Sequence, residues 1–506
     1  MKQSPDPQWV SPLPAKPNWE QQQKRAKQLL RAYWKNEPDA VERIRALHPK
    51  APTPAESKLL DAQLVIARGY GFASWAKLKL KIESLTQTPV EQFVAAVKRR
   101  DLAAARALLE SHVAVRAQIN APLFSFDSMA VHAVADDLEF LAMLKEFGAD
   151  LNSATQWKCG GFTLLDQAKP ELLPQLLELG ASLTVFAAAR LNLVNELRAM
   201  LESDPALARA RGGDGQTPLH VAASTEVIDL LVQYGADLDA RDVDHTATPA
   251  QYLVGQPNLC RHLLSLGTTP DLFMAVMLND VALAQRCIEQ DPICLEHRIG
   301  LPPYANDEGG HIYIWQLKVA APLELARRLK HKEVEAFLNA HSPESVVFLD
   351  ALWRADEVTA KKLLTRAPES MRTLANGSRL MAEAAWECRL DSVKLMLDIG
   401  LDPHARGVHE STPLDRAAFH GYAEVVALLL ERDPNPPLTA RNEFGGQPLM
   451  TCNHGAQYGW ETGKPRDHVA VTKLLLNAGA PLDPSWMPTG HEALDECYRK
   501  HWLAPH

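Results

Sequence analysis

The sequence lacks the short motifs by which common catalytic sites are recognised. It has no His-Glu-x-x-His zinc motif, because His491-Glu492 is followed by Asp495 where the second histidine would stand. It also has no Gly-x-Ser-x-Gly turn and no P-loop, since Gly463-Lys464 lacks the earlier glycine of that loop. No recognised motif therefore supports an enzyme, and the sequence predicts no cofactor and no metal site.

Charge and apolar runs exclude other classes of function. The formal net charge is −9 and the pI is near 6.1, so the chain has no basic surface typical of nucleic-acid binding. No apolar run approaches the length of a membrane span, and the first residues, Met1-Lys-Gln-Ser-Pro-Asp-Pro, lack an apolar signal core. The seven cysteines form no Cys-x-x-Cys pair, which is typical of reduced, packed thiols. We expect a cytoplasmic protein with no nucleic-acid or membrane partner.

The most informative segment that the sequence does contain runs from Asp214 to Asp242. It begins with Asp214-Gly-Gln-Thr-Pro-Leu-His-Val-Ala-Ala and ends at Gly235-Ala-Asp-Leu. Thr217 is a helix N-cap, Pro218 suits the first helical position, and Gly235 suits a left-handed C-cap. The segment predicts a helix–turn–helix unit whose apolar face must be covered by neighbouring units.

The pattern recurs along the chain. Thr-Pro or Pro-Leu pairs mark helix starts at Thr248-Pro249, Pro322-Leu323, Thr412-Pro413 and Pro448-Leu449, and turn glycines follow at Gly148, Gly180, Gly267, Gly400 and Gly479. These residues resemble the ankyrin repeat, whose signature is Thr-Pro-Leu-His-x-Ala at a period of about 33 residues. The resemblance implies an all-α ankyrin-repeat solenoid of about twelve helix–turn–helix repeats with an N-terminal helical cap domain. His220, in the signature, is interpreted as structural.

The predicted domains follow from this pattern. They are a proline-rich extended arm over residues 1–19, a helical leader over 20–89, the repeat stack over 90–482 and a C-terminal helical cap over 483–506. The leader motif, Asp61-Ala-Gln-Leu-Val-Ile-Ala-Arg-Gly-Tyr-Gly-Phe-Ala-Ser-Trp, resembles that of a family of bacterial ankyrin-repeat proteins, which implies no particular reaction. Because terminal repeats need covering, we expect the leader to pack on the first repeat.

Three insertions, at residues 152–162, 298–318 and 451–468, interrupt the repeat period and are rich in aromatic and histidine residues. Solenoids place such insertions on the loops of one face, which is often the binding face, and aromatic side chains suit recognition. If residues 311–315 are extended, His311, Tyr313 and Trp315 alternate to the same side. The predicted binding residues are Trp157, Tyr304, His311, Tyr313, Trp315, His454, Tyr458 and Trp460.

Two functions remain open at this point. The first is an interaction protein that binds a protein partner through a concave groove and the aromatic insertions, as most ankyrin stacks do. The second is a small-molecule-binding protein or an unconventional enzyme, with a pocket built by the same insertions and with His311, Asp307 and His454 as candidate acid–base groups. An open groove favours the first function, and a closed cavity with a perturbed histidine favours the second.

Overall fold

The structure of the protein, a computed structural model, describes residues 9–14, 16–305, 310–319, 321–483, 489 and 491–503. It is all-helical, since helix accounts for 60% of the structure and no strand forms among these residues. One isolated bridge joins Phe124 and Ser128. The predicted all-α class is confirmed.

The helices follow one another through short turns. Residues 9–86 contain α1 Trp19–Trp34, α2 Pro38–Leu47, α3 Leu59–Gly69 and α4 Trp75–Thr86. Residues 87–343 contain α5 Pro89–Lys98, α6 Leu102–Ser111, α7 Val113–Arg116, α8 Ala130–Ala133, α9 Leu138–Glu146, α10 Leu164–Gln167, α11 Leu173–Glu178, α12 Val185–Arg190, α13 Val194–Ser203, α14 Thr225–Gln233, α15 Pro249–Tyr252, α16 Pro257–Ser265, α17 Leu272–Met277, α18 Val281–Gln290, α19 Tyr313–Gln316, α20 Pro322–Arg328 and α21 Lys332–His341. Residues 344–503 contain α22 Glu344–Trp353, α23 Glu357–Leu364, α24 Pro368–Gly377, α25 Leu380–Trp386, α26 Leu390–Asp398, α27 Pro413–His420, α28 Ala423–Arg432, α29 Pro448–Tyr458, α30 His468–Asn477 and α31 Glu492–Leu503. None of the described helices combines the length and apolar character that a membrane span requires.

The chain divides into two compact units. We call Gln87–Pro343 the central unit, and the described residues up to Thr86 together with those from Glu344 onward the terminal unit. The terminal unit is therefore discontinuous in sequence, because its helical leader and its last repeats come from opposite ends of the chain.

The repeat signature forms the predicted local structure with one difference. At the start of α27, the Thr412 hydroxyl accepts a hydrogen bond from the Asp415 N–H at 3.1 Å, and Pro413 occupies the first helical position. After Thr217, however, the first helix is only a 3₁₀ turn, Pro218–Val221, since Ala222 has left the helical region. The predicted turn glycines all adopt positive φ, at Gly148, Gly180, Gly235, Gly267, Gly400 and Gly479.

The leader shares its core with the last repeats, which corrects the expectation that it packs on the first repeat. Leu30 of α1 and Ile66 of α3 belong to the same apolar cluster as Phe348 of α22 and Tyr498 of α31. The guanidinium carbon of Arg499, also in α31, lies 5.9 Å from the centre of the Trp34 ring. The leader is thus built into the terminal unit, beside the C-terminal helix.

A core leucine of this unit provides a test of the repeat packing. Leu429 of α28 is 3% exposed, so Leu429→Ala should lower the free energy of unfolding by about 2–5 kcal/mol through lost apolar burial and the cavity left behind. The matched control is Leu60→Ala in the same unit, because Leu60 is 72% exposed. Chemical denaturation of both variants measures the difference, and equal stabilities would contradict the assigned core face.

Candidate functional site

The insertion over residues 298–318 places three of its predicted site residues in the interior of the central unit. His311 and Tyr313 are fully buried and Tyr304 is nearly so. Ring centroids are separated by 5.0 Å for Tyr304–His311, 5.6 Å for Tyr304–Tyr313 and 4.7 Å for His311–Tyr313. Phe273 of α17 lies 5.1 Å from Tyr304 and 5.4 Å from Tyr313. These rings form a packed internal cluster.

The carboxylate of Asp271 lies beside this cluster. Asp271 caps α17, where its Oδ1 accepts a hydrogen bond from the Met274 N–H at 2.8 Å. Its Oδ2 accepts one from Gln251 Nε2 and one from the Tyr313 hydroxyl, both at 2.9 Å. Burial raises the pKa of Asp271 although these hydrogen bonds oppose the shift. Burial, and next the nearby Asp271 carboxylate, also raise the pKa of Tyr304 and Tyr313, so both phenols stay neutral.

His311 is held as a neutral imidazole. Its Nδ1 accepts a hydrogen bond from the Tyr313 N–H at 3.2 Å, and its Nε2 has no hydrogen-bond partner among the described residues. Burial, and next the Arg241 guanidinium, lower the pKa of His311 to about 4. The other candidate acid–base group of this insertion, Asp307, lies outside the described residues.

Trp315 does not lie on the same side as its neighbours, which corrects the extended-limb prediction. Residues Tyr313–Gln316 form α19, so alternate residues do not share a face. Tyr313 is therefore fully buried while Trp315 is 62% exposed.

A cavity of about 380 Å³ borders the buried cluster within the central unit. Its lining includes Gln251, Asp271, Cys287, Cys294, His297 and Tyr304. Of the predicted binding residues, Tyr304 lines this cavity.

The insertion over residues 152–162 lies against two neighbouring hairpins of the same unit. Trp157 is half-buried and contacts Phe126 edge-on, with ring centroids 5.4 Å apart. The Gly160 carbonyl accepts a hydrogen bond from the Asp214 N–H at 3.3 Å, and a Cβ on Gly160 would lie 2.1 Å from the Gly212 carbonyl oxygen. Only glycine permits this close approach.

The hairpin around Asp214 and the hairpin around Asp244 bring acidic residues and a histidine together. The Asp214 carbonyl accepts hydrogen bonds from the N–H groups of Val243 and Asp244, at 2.9 and 3.1 Å. One side-chain ligand atom from each of Asp214, Asp244 and His245 lies within 4.8 Å of the others. The buried Cys159 thiol donates to Asp244 Oδ1 at 3.4 Å.

The pKa values in this hairpin cluster reflect burial and neighbouring charge. Burial, and next the Asp244 carboxylate, raise the pKa of Asp214 to about 6. For Asp242, burial opposes ionisation, but hydrogen bonds from His245, Ala247 and Tyr252 outweigh it and lower the pKa. For His245, burial lowers the pKa, but the hydrogen bond to Asp242 and nearby carboxylates outweigh it and raise the pKa.

The third insertion, residues 451–468, adjoins a row of aromatic rings in the terminal unit. Trp386 ends α25, Phe419 lies at the end of α27 and His454 lies in α29, so the three occur at roughly one-repeat spacing. Trp386 and Phe419 are stacked with centroids 5.4 Å apart, and Phe419 and His454 are 6.2 Å apart. We call these three residues the aromatic ladder.

Two exposed rings of the insertion extend the ladder. Trp460 is 58% exposed and lies 5.9 Å from Trp386 and 5.6 Å from Phe419, between centroids. Tyr458 is 68% exposed and lies 4.9 Å from His454. Arg466 fixes the returning loop, because its Nη1 donates to the Trp460 carbonyl at 2.8 Å.

Two histidines of the repeats, His220 and His420, are buried. In the central unit, His220 Nδ1 accepts from the Thr217 N–H at 3.0 Å, and Nε2–H donates to the Ala247 carbonyl at 3.1 Å. Burial lowers the pKa of His220 to about 4. In the terminal unit, burial, and next the Arg466 guanidinium, lower the pKa of His420 to about 4. The contacts of His220 agree with its structural interpretation.

The sequence prediction missed residues of the aromatic ladder and of the hairpin cluster. Trp386 and Phe419 lie inside regular repeats, yet their one-repeat spacing to His454 was visible in the sequence. No signal in the sequence indicated that His245 and Asp244 belong to a site, because Asp214, which lies beside them in the structure, belongs to the preceding hairpin.

Comparison with known proteins agrees with the local geometry. The family model of the ankyrin repeat matches residues 214–243 in the central unit and 409–443 in the terminal unit. No curated protein matches the chain. The protein therefore has an all-α fold that contains ankyrin repeats and is consistent with a repeat solenoid.

Proposed function

We propose that the protein binds a protein partner through the aromatic ladder and the two exposed rings beside it. Ankyrin repeats generally mediate protein–protein interaction, which supports the class of function. The observation that carries the specific proposal is the exposed Trp460 ring, held against Trp386 and Phe419. Exposed aromatic side chains on rigid supports provide a large contact area at a small entropic cost.

The ladder suits an extended segment of a partner with an apolar or aromatic anchor residue. Its rings come from three successive repeats, so a bound segment would cross the repeats rather than follow one helix. Trp460 and Tyr458 lie beside the ladder and supply two further contact surfaces. Because Arg466 bonds the carbonyls of both Trp460 and His420, little ordering of the loop is needed on binding.

The alternative, a small-molecule pocket or an unconventional active site, has weaker support. The cavity near Asp271 favours it, and so does the lowered pKa of His311. However, of the three candidate acid–base groups only His311 belongs to the described ring cluster of the central unit. His311 is buried in the central unit, His454 is exposed in the terminal unit, and Asp307 lies outside the described residues.

A peptide selection tests the proposed surface. Peptides selected from a displayed random library on the full chain should be enriched in apolar or aromatic anchors. Trp460→Ala should weaken their binding by roughly 30-fold, equivalent to about 2 kcal/mol, as measured by fluorescence anisotropy. The matched control is Phe126→Ala, because Phe126 is a 70% exposed aromatic residue of the central unit that does not belong to the ladder.

The melting temperature of Trp460→Ala should stay close to that of the unmodified chain, since the ring is largely exposed. Selected peptides that bind Trp460→Ala as tightly as the unmodified chain would show that the ladder is not the binding surface.

A further inference from the structure

The proposed partner surface leaves the hairpin cluster of the central unit without a role. This cluster consists of Asp214, Asp244 and His245, with Asp242 directly behind the histidine. Its donor atoms are carboxylate oxygens and an imidazole nitrogen, a combination that binds transition-metal ions.

We propose that Asp214, Asp244 and His245 bind a first-row divalent transition-metal ion of the Zn²⁺ type. The distance from His245 Nε2 to Asp244 Oδ2 is 3.7 Å, and all three ligand atoms lie within 4.8 Å of one another. Zn²⁺ bonds of about 2.0–2.2 Å place neighbouring tetrahedral ligands roughly 3.5 Å apart. Small side-chain movements therefore bring the three atoms to coordination distance.

Asp242 orients the histidine as outer-shell carboxylates do in metal sites. Its side chain is fully buried, and Oδ2 lies 3.1 Å from His245 Nδ1. The Tyr252 hydroxyl donates to the same oxygen at 2.9 Å, and the Ala247 N–H donates to Oδ1 at 2.7 Å. With Nδ1 directed to the Asp242 carboxylate, the other ring nitrogen of His245, Nε2, faces Asp244. This Asp–His arrangement fixes the tautomer that binds a metal.

The ligands are also fixed by the backbone and by the insertion at residues 152–162. The Asp214 carbonyl accepts hydrogen bonds from the hairpin that contains Asp244. The Cys159 thiol donates a hydrogen bond to Asp244 Oδ1, the carboxylate oxygen that is not the one measured against His245. A bound ion would link the hairpin around Asp214 to the hairpin that contains Asp244 and His245.

The ligand set distinguishes among cations. Mg²⁺ and Ca²⁺ prefer sites made of oxygen atoms alone, whereas imidazole suits Zn²⁺ and its neighbours in the first transition row. We therefore expect strong preference for Zn²⁺ over Mg²⁺.

Calorimetric titration of the full chain without an affinity tag tests the site. Zn²⁺ should bind in a one-to-one ratio. Asp242→Asn should weaken binding by roughly 10–100-fold as an outer-shell change, and His245→Gln and Asp214→Asn should weaken it further. The matched control is His262→Gln, because His262 Nε2 pairs with Asp229 Oδ1 at 2.6 Å and this pair has no third candidate ligand among the described residues, so the variant should bind Zn²⁺ like the unmodified chain.

Thermal unfolding separates ligand loss from misfolding. Zn²⁺ should raise the melting temperature of the unmodified chain and of His262→Gln, but not that of folded Asp214→Asn or His245→Gln. The proposal is overturned if the unmodified chain takes up no Zn²⁺ or if both ligand variants bind Zn²⁺ as tightly as the unmodified chain does. It is also overturned if Mg²⁺ displaces Zn²⁺ at equal concentration.

Discussion

Removal of residues 1–86 should abolish the folding of the terminal unit while the central unit stays folded. Leu30, Ile66 and Trp34 of the leader belong to the same core as Phe348 and Tyr498. Each large apolar side chain that is buried contributes roughly 1.5–3 kcal/mol. Because the leader supplies many such side chains, the stabilising free energy lost with it exceeds the roughly 5–15 kcal/mol by which a typical domain is stable.

The comparison is between the full chain and residues 87–506 in chemical denaturation. Since the two units are separately compact, the full chain should show the transitions of both, and the truncated chain only that of the central unit. Separately produced residues 1–86, added to the truncated chain, should restore the missing transition. A truncated chain that unfolds like the full chain would show that the leader is not part of this core.

The repeat pattern was predictable because its determinants are local. Thr412 and Pro413 start α27 through a cap and a fixed proline φ, and Gly235 and Gly400 end their helices with positive φ. Even so, the first helix after Thr217 is only a 3₁₀ turn. Local signals thus locate the helix start more reliably than the helix length, which tertiary packing decides.

The position of the leader could not be read from the sequence. The apolar faces that contain Leu29, Trp34 and Leu64 indicate only that the leader must pack on something. Both ends of a repeat stack need a cover, so the pattern fits either end equally well. The contact of Arg499 with Trp34 joins residues from opposite ends of the chain, and such pairing has no local signature.

The insertions show the same division between local and non-local information. Aromatic enrichment identified residues 298–318 and 451–468 as insertions, but it did not indicate which of their rings are buried. Within one turn of α19, Tyr313 bonds Asp271 in the interior while Trp315 is exposed. That outcome depends on Asp271 of the preceding helix pair, so the composition of the insertion could not decide it.

Lowering the pH from 7 to 4 should destabilise the central unit by about 3 kcal/mol through His220 alone. Burial holds the pKa of His220 at about 4 in the folded protein, against 6.5 for an exposed histidine. Between these values the unfolded chain binds a proton that the folded chain does not. The free energy of unfolding therefore falls as the pH falls, by about 1.4 kcal/mol for each unit of pKa difference. Stability from this source is complete above pH 6.5.

The next repeat supplies the substitution that tests this effect. Gln251 holds the position after Thr248-Pro249 that His220 holds after Thr217-Pro218, and Gln251 Oε1 accepts from the Thr248 N–H at 2.9 Å. His220→Gln can thus keep the cap without a titrating group. Its unfolding free energy should decline less steeply between pH 6.5 and 4 than that of the unmodified chain. An unaltered slope for His220→Gln would mean that His220 does not stay neutral in the folded protein, because only a proton bound unequally by the two states can make stability depend on pH.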